Sequence, residues 1–311
     1  MRRELLKGGV AVKAFGQMRL CVAAIIAILA ASAPAQVPQG QIIYEAPSQY
    51  QKITILDTPN GYRQMIFDAR FDGTDSIQSE LNKSNPTELT LAYSKHMMAS
   101  VALVDKPKRI LIVGLGGACL QRYLHEVLPE TRIETAELDP AVLVMAQKYF
   151  GFKEDARQWV SIGDGRKFIE QSKDKYDLIM LDAFSATSIP YMLSTKEFLE
   201  VCKAHLADGG VLAANLWEAE ASFGDMVKTY DAVFPEWHVV RCALSTNAIL
   251  TALPVKRDLT PEQWMAAAAA FEKTYKTTLN LPQLVDRGFQ PATRIPSAAK
   301  VLLDKDEPKG K

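Results

Sequence analysis

Short apolar runs alternate with helical segments between residues 109 and 215, and this alternation constrains the fold more than any other feature of the sequence. The predicted strands are 109–113, 132–138, 160–162, 176–181 and 210–215. The predicted helices between them are 117–128, 140–150, 165–171 and 194–205. Such an alternation indicates an α/β fold with a parallel, doubly wound sheet. Right-handed crossovers then place the carboxyl ends of these strands at one edge, where ligands bind.

A smaller strand-rich unit precedes this region. Apolar runs predict strands at 51–56, 63–67 and 76–81, and Asn60-Gly61 between the first two is typical of a hairpin turn. We therefore expect a small N-terminal antiparallel β domain. Apolar residues at a period of four then predict a linking helix over 87–103.

These patterns predict the organisation of the whole chain. The expected units are a signal peptide over 1–35, the β-hairpin domain with its linking helix over 36–104, a Rossmann-like nucleoside-binding domain over 105–255, and a C-terminal helix and tail over 256–311. The third unit should end with an antiparallel strand pair. The helix of the fourth is predicted at Trp264–Tyr275.

The first 35 residues have the order of a secretory signal. Basic residues precede the apolar run Leu20–Ala31, and the small residues Ala33-Pro34-Ala35 fit a cleavage site. The run is shorter than the roughly 20 apolar residues that a membrane span needs. We therefore expect a periplasmic or secreted mature protein, with a cytoplasmic or membrane-anchored protein as the alternative.

Charge and residue spacing exclude several classes of partner. The chain carries 36 basic and 36 acidic side chains, and without the expected signal peptide the remainder is mildly acidic. Nucleic-acid-binding proteins usually show a basic surface, so no nucleic-acid partner is expected. The four histidines and four cysteines lack the spacing of a metal site, so no metal is expected either.

The strand Ile110–Val113 runs into a glycine-rich turn that opens a helix. Gly114, Gly116 and Gly117 permit a tight turn and a close approach of a ligand to the backbone. These three glycines are therefore candidates for cofactor binding. The motif alone is weak, because a strand–helix turn without a ligand has the same pattern.

Acidic residues stand at the ends of the next three strands. Glu137 can accept hydrogen bonds from both ribose hydroxyls, and Asp164, which Gly165 follows, can accept one from an exocyclic amine such as adenine N6. Asp182 ends the fourth strand and is the best catalytic candidate. Asp164 and Asp182 could instead cap a helix or a loop. Asp139, which precedes a proline, is expected to be a helix N-cap.

The order and spacing of these residues resemble the spermidine synthase (polyamine aminopropyltransferase) family over about residues 43–253. The segments that carry the resemblance are S-Q-Y-Q-K-I from Ser48, I-Q-S-E from Ile77, A-E-L-D from Ala136, G-D-G from Gly163, and the stretch from Asp182 through Ile189-Pro190 to Phe198. The last stretch distinguishes this family from generic methyltransferases. The resemblance implies a Rossmann-like, methyltransferase-type doubly wound sheet with a small N-terminal antiparallel β domain.

The resemblance also implies a function. The co-substrate would be decarboxylated S-adenosylmethionine, or S-adenosylmethionine, without a metal, and the partner would be a small-molecule amine such as putrescine. Asp182 would orient the amine and take its proton, because an alkylammonium with a pKa of about 10 is not a nucleophile until it loses a proton. Gln78, Tyr93 and Ser185 would line the amine pocket. The chain could form a homodimer.

Two positions depart from the family pattern. Gly117 stands where the family's glycine loop carries an acidic residue, and Ser185 replaces the second Asp of D-x-x-D. Loss of two negative charges should weaken binding of a dicationic amine. Two other functions therefore stay open. One is an S-adenosylmethionine-dependent methyltransferase, and the other is a non-catalytic exported protein that binds a nucleoside or a polyamine.

Overall fold

The computed structural model describes residues 40–68, 77–184, 188–243, 245–290 and 295–308. Over these ranges the chain forms two β-sheets and eight α-helices. The expected signal peptide over 1–35 lies outside the described residues.

The N-terminal unit is an antiparallel sheet in which four described strands pair in sequence order. They are β1 (Gln41–Pro47), β2 (Lys52–Asp57), β3 (Tyr62–Phe67) and β4 (Ile77–Asn82). The turn between β2 and β3 uses Gly61 at φ +89°, and Thr58 N donates to Tyr62 O at 2.9 Å. The predicted antiparallel sheet and its Asn-Gly turn are confirmed, and β1 lies within the predicted unit although no individual strand is predicted there.

The second sheet contains the residues expected to alternate between strand and helix. Its described strands are β5 (Arg109–Val113), β6 (Arg132–Glu137), β7 (Gln158–Ile162), β8 (Tyr176–Leu181), β9 (Leu206–Trp217), β10 (Glu236–Arg241), β11 (Asn247–Leu253) and β12 (Phe289–Gln290). Their order is β12-β10-β11-β9-β8-β5-β6-β7. The five strands from β9 to β7 are parallel, and the other three are antiparallel. The doubly wound arrangement is therefore confirmed, with an antiparallel edge that makes the sheet mixed.

Helices cover both faces of the second sheet. The described α-helices are α1 (Ala92–Val101), α2 (Cys119–Val127), α3 (Pro140–Tyr149), α4 (Gly165–Gln171), α5 (Lys196–Ala204), α6 (Phe223–Val233), α7 (Pro261–Tyr275) and α8 (Leu281–Gly288). Asp139 caps α3 by accepting a hydrogen bond from Ala141 N, as the sequence predicts. In the part of the chain that the structure describes, no helix is both long and apolar enough to cross a membrane.

The parallel strands are apolar on both faces because both faces are covered. Ile110 and Ile112 of β5 pack in a cluster with residues of α1, α2 and α7, whereas Leu111 and Val113 pack with residues of α4, α5 and α6. All four side chains are buried. Coverage of both faces explains why β5 is a continuous apolar run rather than an alternating one.

The small sheet packs against the domain of the second sheet at α3. Ile53, Ile55 and Met65 form one apolar cluster with Met145 and Phe150. This contact brings β4 beside the turn between β5 and α2, so the small sheet forms one wall of the site described below.

Several predicted element boundaries are wrong. The helix predicted from residue 87 begins at Ala92, because residues 83–87 form turns and the Thr90 hydroxyl donates to Glu80 O at 2.9 Å. The helix α6 has no counterpart in the prediction. The tail expected after the C-terminal helix contains α8 and β12, and β12 pairs with β10 at the edge of the second sheet.

Candidate active site

The carboxyl ends of four parallel strands lie side by side. Backbone hydrogen bonds connect each strand end to the next one. They join Asp182 N to Val113 O at 2.9 Å, Gly114 N to Ala136 O at 2.9 Å, and Gly163 N to Glu137 O at 2.8 Å. The strand order reverses between β5 and β8, and crevices for ligands form at such a switch point. The predicted site residues at the ends of β5, β6, β7 and β8 therefore share one edge.

The turn after β5 needs glycine at two positions for backbone reasons. Gly114 adopts φ +102° and Gly116 adopts φ +53°, which is the left-handed region that favours glycine. A Cβ atom on Gly114 would also collide with the carbonyl oxygen of Asp182. The turn therefore packs directly against the backbone of the catalytic candidate.

Gly117 is held between two side chains that the sequence analysis did not single out. Its N–H donates to Ser79 Oγ of β4 at 2.7 Å. A Cβ atom on Gly117 would lie 2.6 Å from the ring of Phe150, which follows α3. The place where the family pattern has an acidic side chain is thus occupied here by an aromatic ring.

Glu137 is a buried carboxylate in direct contact with the glycine turn. Its Oε2 accepts from Leu115 N at 2.9 Å, and its Oε1 accepts from Asp139 N at 2.8 Å. Burial raises the pKa of Glu137 to about 7, although these two hydrogen bonds and a third from the backbone of Leu138 act in the opposite direction. A carboxylate offers about four acceptor positions, so these three contacts leave capacity for a ligand hydroxyl.

Asp164 lies at the end of β7, but its environment differs from that of Glu137. The side chain is exposed, and its Oδ1 caps α4 by accepting from Lys167 N at 3.0 Å. Gly165 follows, and a Cβ atom there would meet the side chain of Val113. The N-cap alternative for Asp164 is thus observed, and its role toward adenine stays a prediction.

Asp182 lies directly after β8 and contacts two neutral donors. Asn215 Nδ2 of β9 donates to Asp182 Oδ1 at 3.0 Å, and the Tyr93 hydroxyl of α1 also bonds to the carboxylate. Burial raises the pKa of Asp182 to about 7, and the two hydrogen bonds act against this rise. A carboxyl with a pKa near 7 can accept and release a proton at neutral pH.

Tyr93 lies beside Asp182, and its hydroxyl is also near the backbone of Gln78, a residue that does not line the cleft around Asp182. The assignment of Gln78 and Tyr93 to an amine pocket stays a prediction. The Tyr93 hydroxyl lies 3.2 Å from the backbone carbonyl of Gln78. Burial, followed by the charge of Asp182, raises the pKa of Tyr93 well above its usual value, so its hydroxyl stays neutral. Ser185, the third residue assigned to this pocket, lies outside the described residues.

Asp182 faces a cleft between the small sheet, α1 and the glycine turn. The cleft is small: its cavity volume is about 10 Å³, which is room for about one water molecule. Its lining includes Glu80, Thr90, Tyr93, Ser94, Cys119 and Asp182. Burial raises the pKa of the Cys119 thiol to about 11, so this thiol is protonated at neutral pH. Glu137 and Asp164 lie outside this cleft, farther along the strand ends.

Sequence reasoning missed two residues of the site, Ser79 and Asn215. Ser79 lies in the I-Q-S-E segment that carries part of the family resemblance, but that segment gave it no role of its own. Asn215 could have been found from the sequence, since it is a single amide in the apolar run that ends β9. In the described part of the chain, no group of three or more His, Cys, Asp or Glu side chains is arranged to hold a metal ion.

Solved structures with the same fold indicate the class of protein. The human methyltransferase-like protein 13 in complex with SAH aligns with a TM-score of 0.56 at 28% identity, covering 61% of this chain and 94% of that chain. A spermidine synthase in complex with the transition state analogue AdoDATO aligns with a TM-score of 0.62 at 22% identity, covering 81% and 86%. The predicted methyltransferase-type α/β fold is confirmed.

Sequence comparison then defines the family. The Spermine/spermidine synthase domain matches residues 90–251. The polyamine aminopropyltransferase of Vibrio vulnificus (strain CMCP6) is 32% identical over 260 residues, which cover 81% of this chain and 86% of that protein. The chain belongs to the spermine/spermidine synthase family, and the resemblance inferred from its motifs is confirmed.

Proposed function

We propose that this protein transfers an aminopropyl group from decarboxylated S-adenosylmethionine to an amine such as putrescine. The observation that carries the proposal is the position of Asp182 between two neutral donors in the lining of a cleft beside the glycine turn. The similarity to a polyamine aminopropyltransferase over most of both chains supports the same reaction.

Asp182 performs the proton transfer in the proposed reaction. Its carboxylate binds the acceptor ammonium and takes one proton, which leaves a neutral amine with a free electron pair. The nitrogen attacks the carbon next to the sulfonium sulfur of the donor, and the carbon–sulfur electron pair returns to sulfur. The products are the alkylated amine and neutral methylthioadenosine. Most of the acceleration comes from proximity and alignment.

The nucleoside half of the donor is assigned to the neighbouring strand ends. Glu137 accepts from the ribose hydroxyls, Asp164 accepts from the adenine amine, and the turn at Gly114, Gly116 and Gly117 approaches the donor through its backbone. Leu138 is 44% exposed and Ile162 is 46% exposed, although both are large apolar side chains beside these groups. Exposed apolar side chains at a crevice suit the faces of an adenine ring.

The amine half of the site is assigned to Gln78, Tyr93 and Ser185, together with Asp182. Position 117 is a glycine, and the ring of Phe150 fills the space beside it. No carboxylate at this position is therefore available to bind the amine. We therefore propose weaker binding of a dicationic acceptor than the family pattern would give, because a charge pair lost from a desolvated site costs affinity.

A methyltransferase is the second candidate. The similarity to human methyltransferase-like protein 13, which was solved with SAH, favours it, because that alignment has 28% identity over almost the whole of that chain. Such an enzyme would keep the glycine turn, Glu137 and Asp164, and would transfer the methyl group of S-adenosylmethionine.

Product analysis by mass spectrometry tests the proposal. The purified protein should form spermidine and methylthioadenosine in equal amounts from putrescine and decarboxylated S-adenosylmethionine. Asp182→Asn should lower turnover by about 100-fold or more while methylthioadenosine binding, measured by calorimetry, changes little. Asp208→Asn changes an exposed carboxylate away from the site and is the matched control.

Other results would contradict the proposal in distinct ways. A methylated product from S-adenosylmethionine would assign the protein to the second candidate. If the protein binds neither S-adenosylmethionine, nor its decarboxylated form, nor methylthioadenosine, the result would favour the non-catalytic alternative. If Asp182→Asn stays fully active, the proposed reaction can still be correct, but Asp182 is not its base.

We also propose that the protein is exported, on the basis of the signal pattern in residues 1–35. The donor is made in the cytosol, so export would separate the enzyme from its co-substrate. N-terminal sequencing of the protein from a periplasmic fraction should find Gln36 first. An intact N-terminus in the cytosolic fraction would contradict export.

A further inference from the structure

Asn215 is a buried amide in the apolar second half of β9. It lies near the carboxyl end of β9 between the buried residues Ala214 and Leu216, and it is itself only 4% exposed. Burial of an amide is costly unless its hydrogen bonds are made. Its Nδ2 donates to Asp182 Oδ1 at 3.0 Å, and its Oδ1 accepts from Asn247 Nδ2 at 3.0 Å. Both ends of the amide are therefore used, one of them on the proposed base.

The strand β11 and the turn before it fix the direction of this amide. Ser245 Oγ accepts from Asn247 N at 3.1 Å and donates to Asn247 Oδ1 at 3.0 Å, so Asn247 Nδ2 faces Asn215. If the Asn215 amide turned over, its oxygen would meet the carboxylate of Asp182 and its NH₂ group would meet the NH₂ group of Asn247. The observed orientation is therefore the one that both neighbours satisfy.

We infer that Asn215 is a positioning residue: it holds Oδ1 of Asp182 and, because Asn247 and Ser245 orient its amide, it sets the direction in which the carboxylate meets the acceptor amine. The inference rests on the proposed function, since it takes Asp182 as the base. The residues that line the cleft, within the described ranges, include Asp182 but not Asn215. Asn215 therefore acts through Asp182 and not on the substrate.

Neutral donors suit a carboxylate that has to take up and release a proton. The titratable side chains that line the cleft with Asp182 are Tyr93 from α1, Glu80 from β4 and Cys119 from α2. A lysine or arginine in place of Asn215 would keep the carboxylate ionised to much lower pH. The amide hydrogen bond instead offsets only part of the effect of burial on the pKa of Asp182, and its loss should raise that pKa further.

The first test compares Asn215→Leu with the wild-type protein during turnover of putrescine. We expect kcat to fall about 10-fold to 100-fold and the acid limb of the pH profile of kcat/KM to move up by about one pH unit, as for loss of a hydrogen bond to a charged group. KM for the donor should change little. Thr251→Val is the matched control, because it removes another buried hydrogen bond, between the hydroxyls of Thr251 and Ser100, without contact to Asp182. An acid limb that stays in place in Asn215→Leu would overturn the inference.

The second test needs no turnover, so it separates failure of this inference from failure of the proposed function. Unfolding in urea is measured at pH 5 and pH 9. Asn215→Leu should raise the unfolding equilibrium constant relative to wild type at both pH values. The ratio of variant to wild type should be about 10-fold larger at pH 9, where Asp182 is charged, than at pH 5. In an Asp182→Asn background, the effect of Asn215→Leu should be the same at both pH values.

An effect of Asn215→Leu that is independent of pH in the wild-type background would overturn the inference. If Asn215→Leu does not fold, Asn247→Ala takes its place, because it removes the amide that orients Asn215 and leaves Asn215 itself in place. The same pH dependence at smaller size is expected for Asn247→Ala. Its absence would overturn the inference as well.

Discussion

Glu137 and Asp182 are carboxyl groups that the fold withdraws from water at neighbouring strand ends. Burial raises the pKa of each to about 7, and the hydrogen bonds that they accept offset only part of the rise. A carboxyl group with a raised pKa binds its proton more tightly in the folded state than in the unfolded state. Its contribution to stability therefore falls as the pH rises from about 4 to about 7. The raised pKa that suits Asp182 to its proposed role as a base thus lowers the stability of the fold at neutral pH.

Replacement of Asp182 by asparagine should make this cost measurable. We expect Asp182→Asn to raise the free energy of unfolding at pH 8 by about 1–3 kcal/mol, because the amide carries no charge and can still accept the hydrogen bond from Asn215. The gain should disappear near pH 5, where the wild-type carboxyl group is protonated. Urea denaturation at both pH values measures the effect, with Asp208→Asn as the control. A loss of stability at pH 8 would contradict this expectation.

At the scale of secondary-structure elements, the glycine turn is wedged between β4 and the end of α3. Ser79 of β4 accepts a hydrogen bond from Gly117 N, and the ring of Phe150 packs over the Gly117 Cα. The small sheet and the domain of the second sheet therefore meet at the turn itself. A side chain at position 117 has to displace one of these two neighbours.

We expect Gly117→Ala to lower the free energy of unfolding by about 1–3 kcal/mol, because its Cβ would lie 2.6 Å from the Phe150 ring in a packed interior. In a Phe150→Leu background, the same substitution should cost less than half as much. Thermal or urea unfolding of the two single variants and the double variant gives the coupling between the positions. Equal costs in both backgrounds would show that the ring does not limit position 117.

At the scale of the whole molecule, Glu236 attaches the C-terminal helices to the second sheet. This buried carboxylate at the start of β10 accepts from the backbone N–H groups of Arg257, Asp258 and Leu259, and from His238 Nε2 at 2.8 Å. Residues 257–259 lead directly into α7. Burial acts to raise the pKa of Glu236, but the hydrogen bonds outweigh it and lower the pKa to about 2.

Because its pKa is lowered, the Glu236 carboxylate contributes its full stabilisation of the fold at pH values above 4.5, its pKa in the unfolded chain. This contribution is lost as the pH falls through about 2. We expect Glu236→Gln to lower the free energy of unfolding by about 2–3 kcal/mol at pH 7, because an amide can accept fewer of these bonds and carries no charge. The difference from wild type should shrink toward pH 2. Urea unfolding across this range measures it, and Glu200→Gln on the exposed side of α5 is the control. A difference that stays constant with pH would contradict the charge argument.

The sequence by itself determined the doubly wound sheet and the edge at which the site lies. The apolar run Ile110–Val113, the glycines after it and the acidic residues at the next strand ends are local patterns. Chain connectivity converts them into a shared edge, because parallel strands joined by right-handed crossovers end on the same side. The family resemblance followed from the same residues.

Tertiary structure alone decided the contacts within that edge. Asn215 meets Asp182, and Phe150 meets Gly117, across pairs of segments that are far apart in the chain. The burial that moves the pKa of Asp182 also depends on which helices and strands surround it. Strand register and interlocking side chains set these contacts, and no local period in the sequence encodes them. The pairing of β12 with β10 arises in the same way, since a two-residue strand leaves no period and forms only where a neighbouring edge is unpaired.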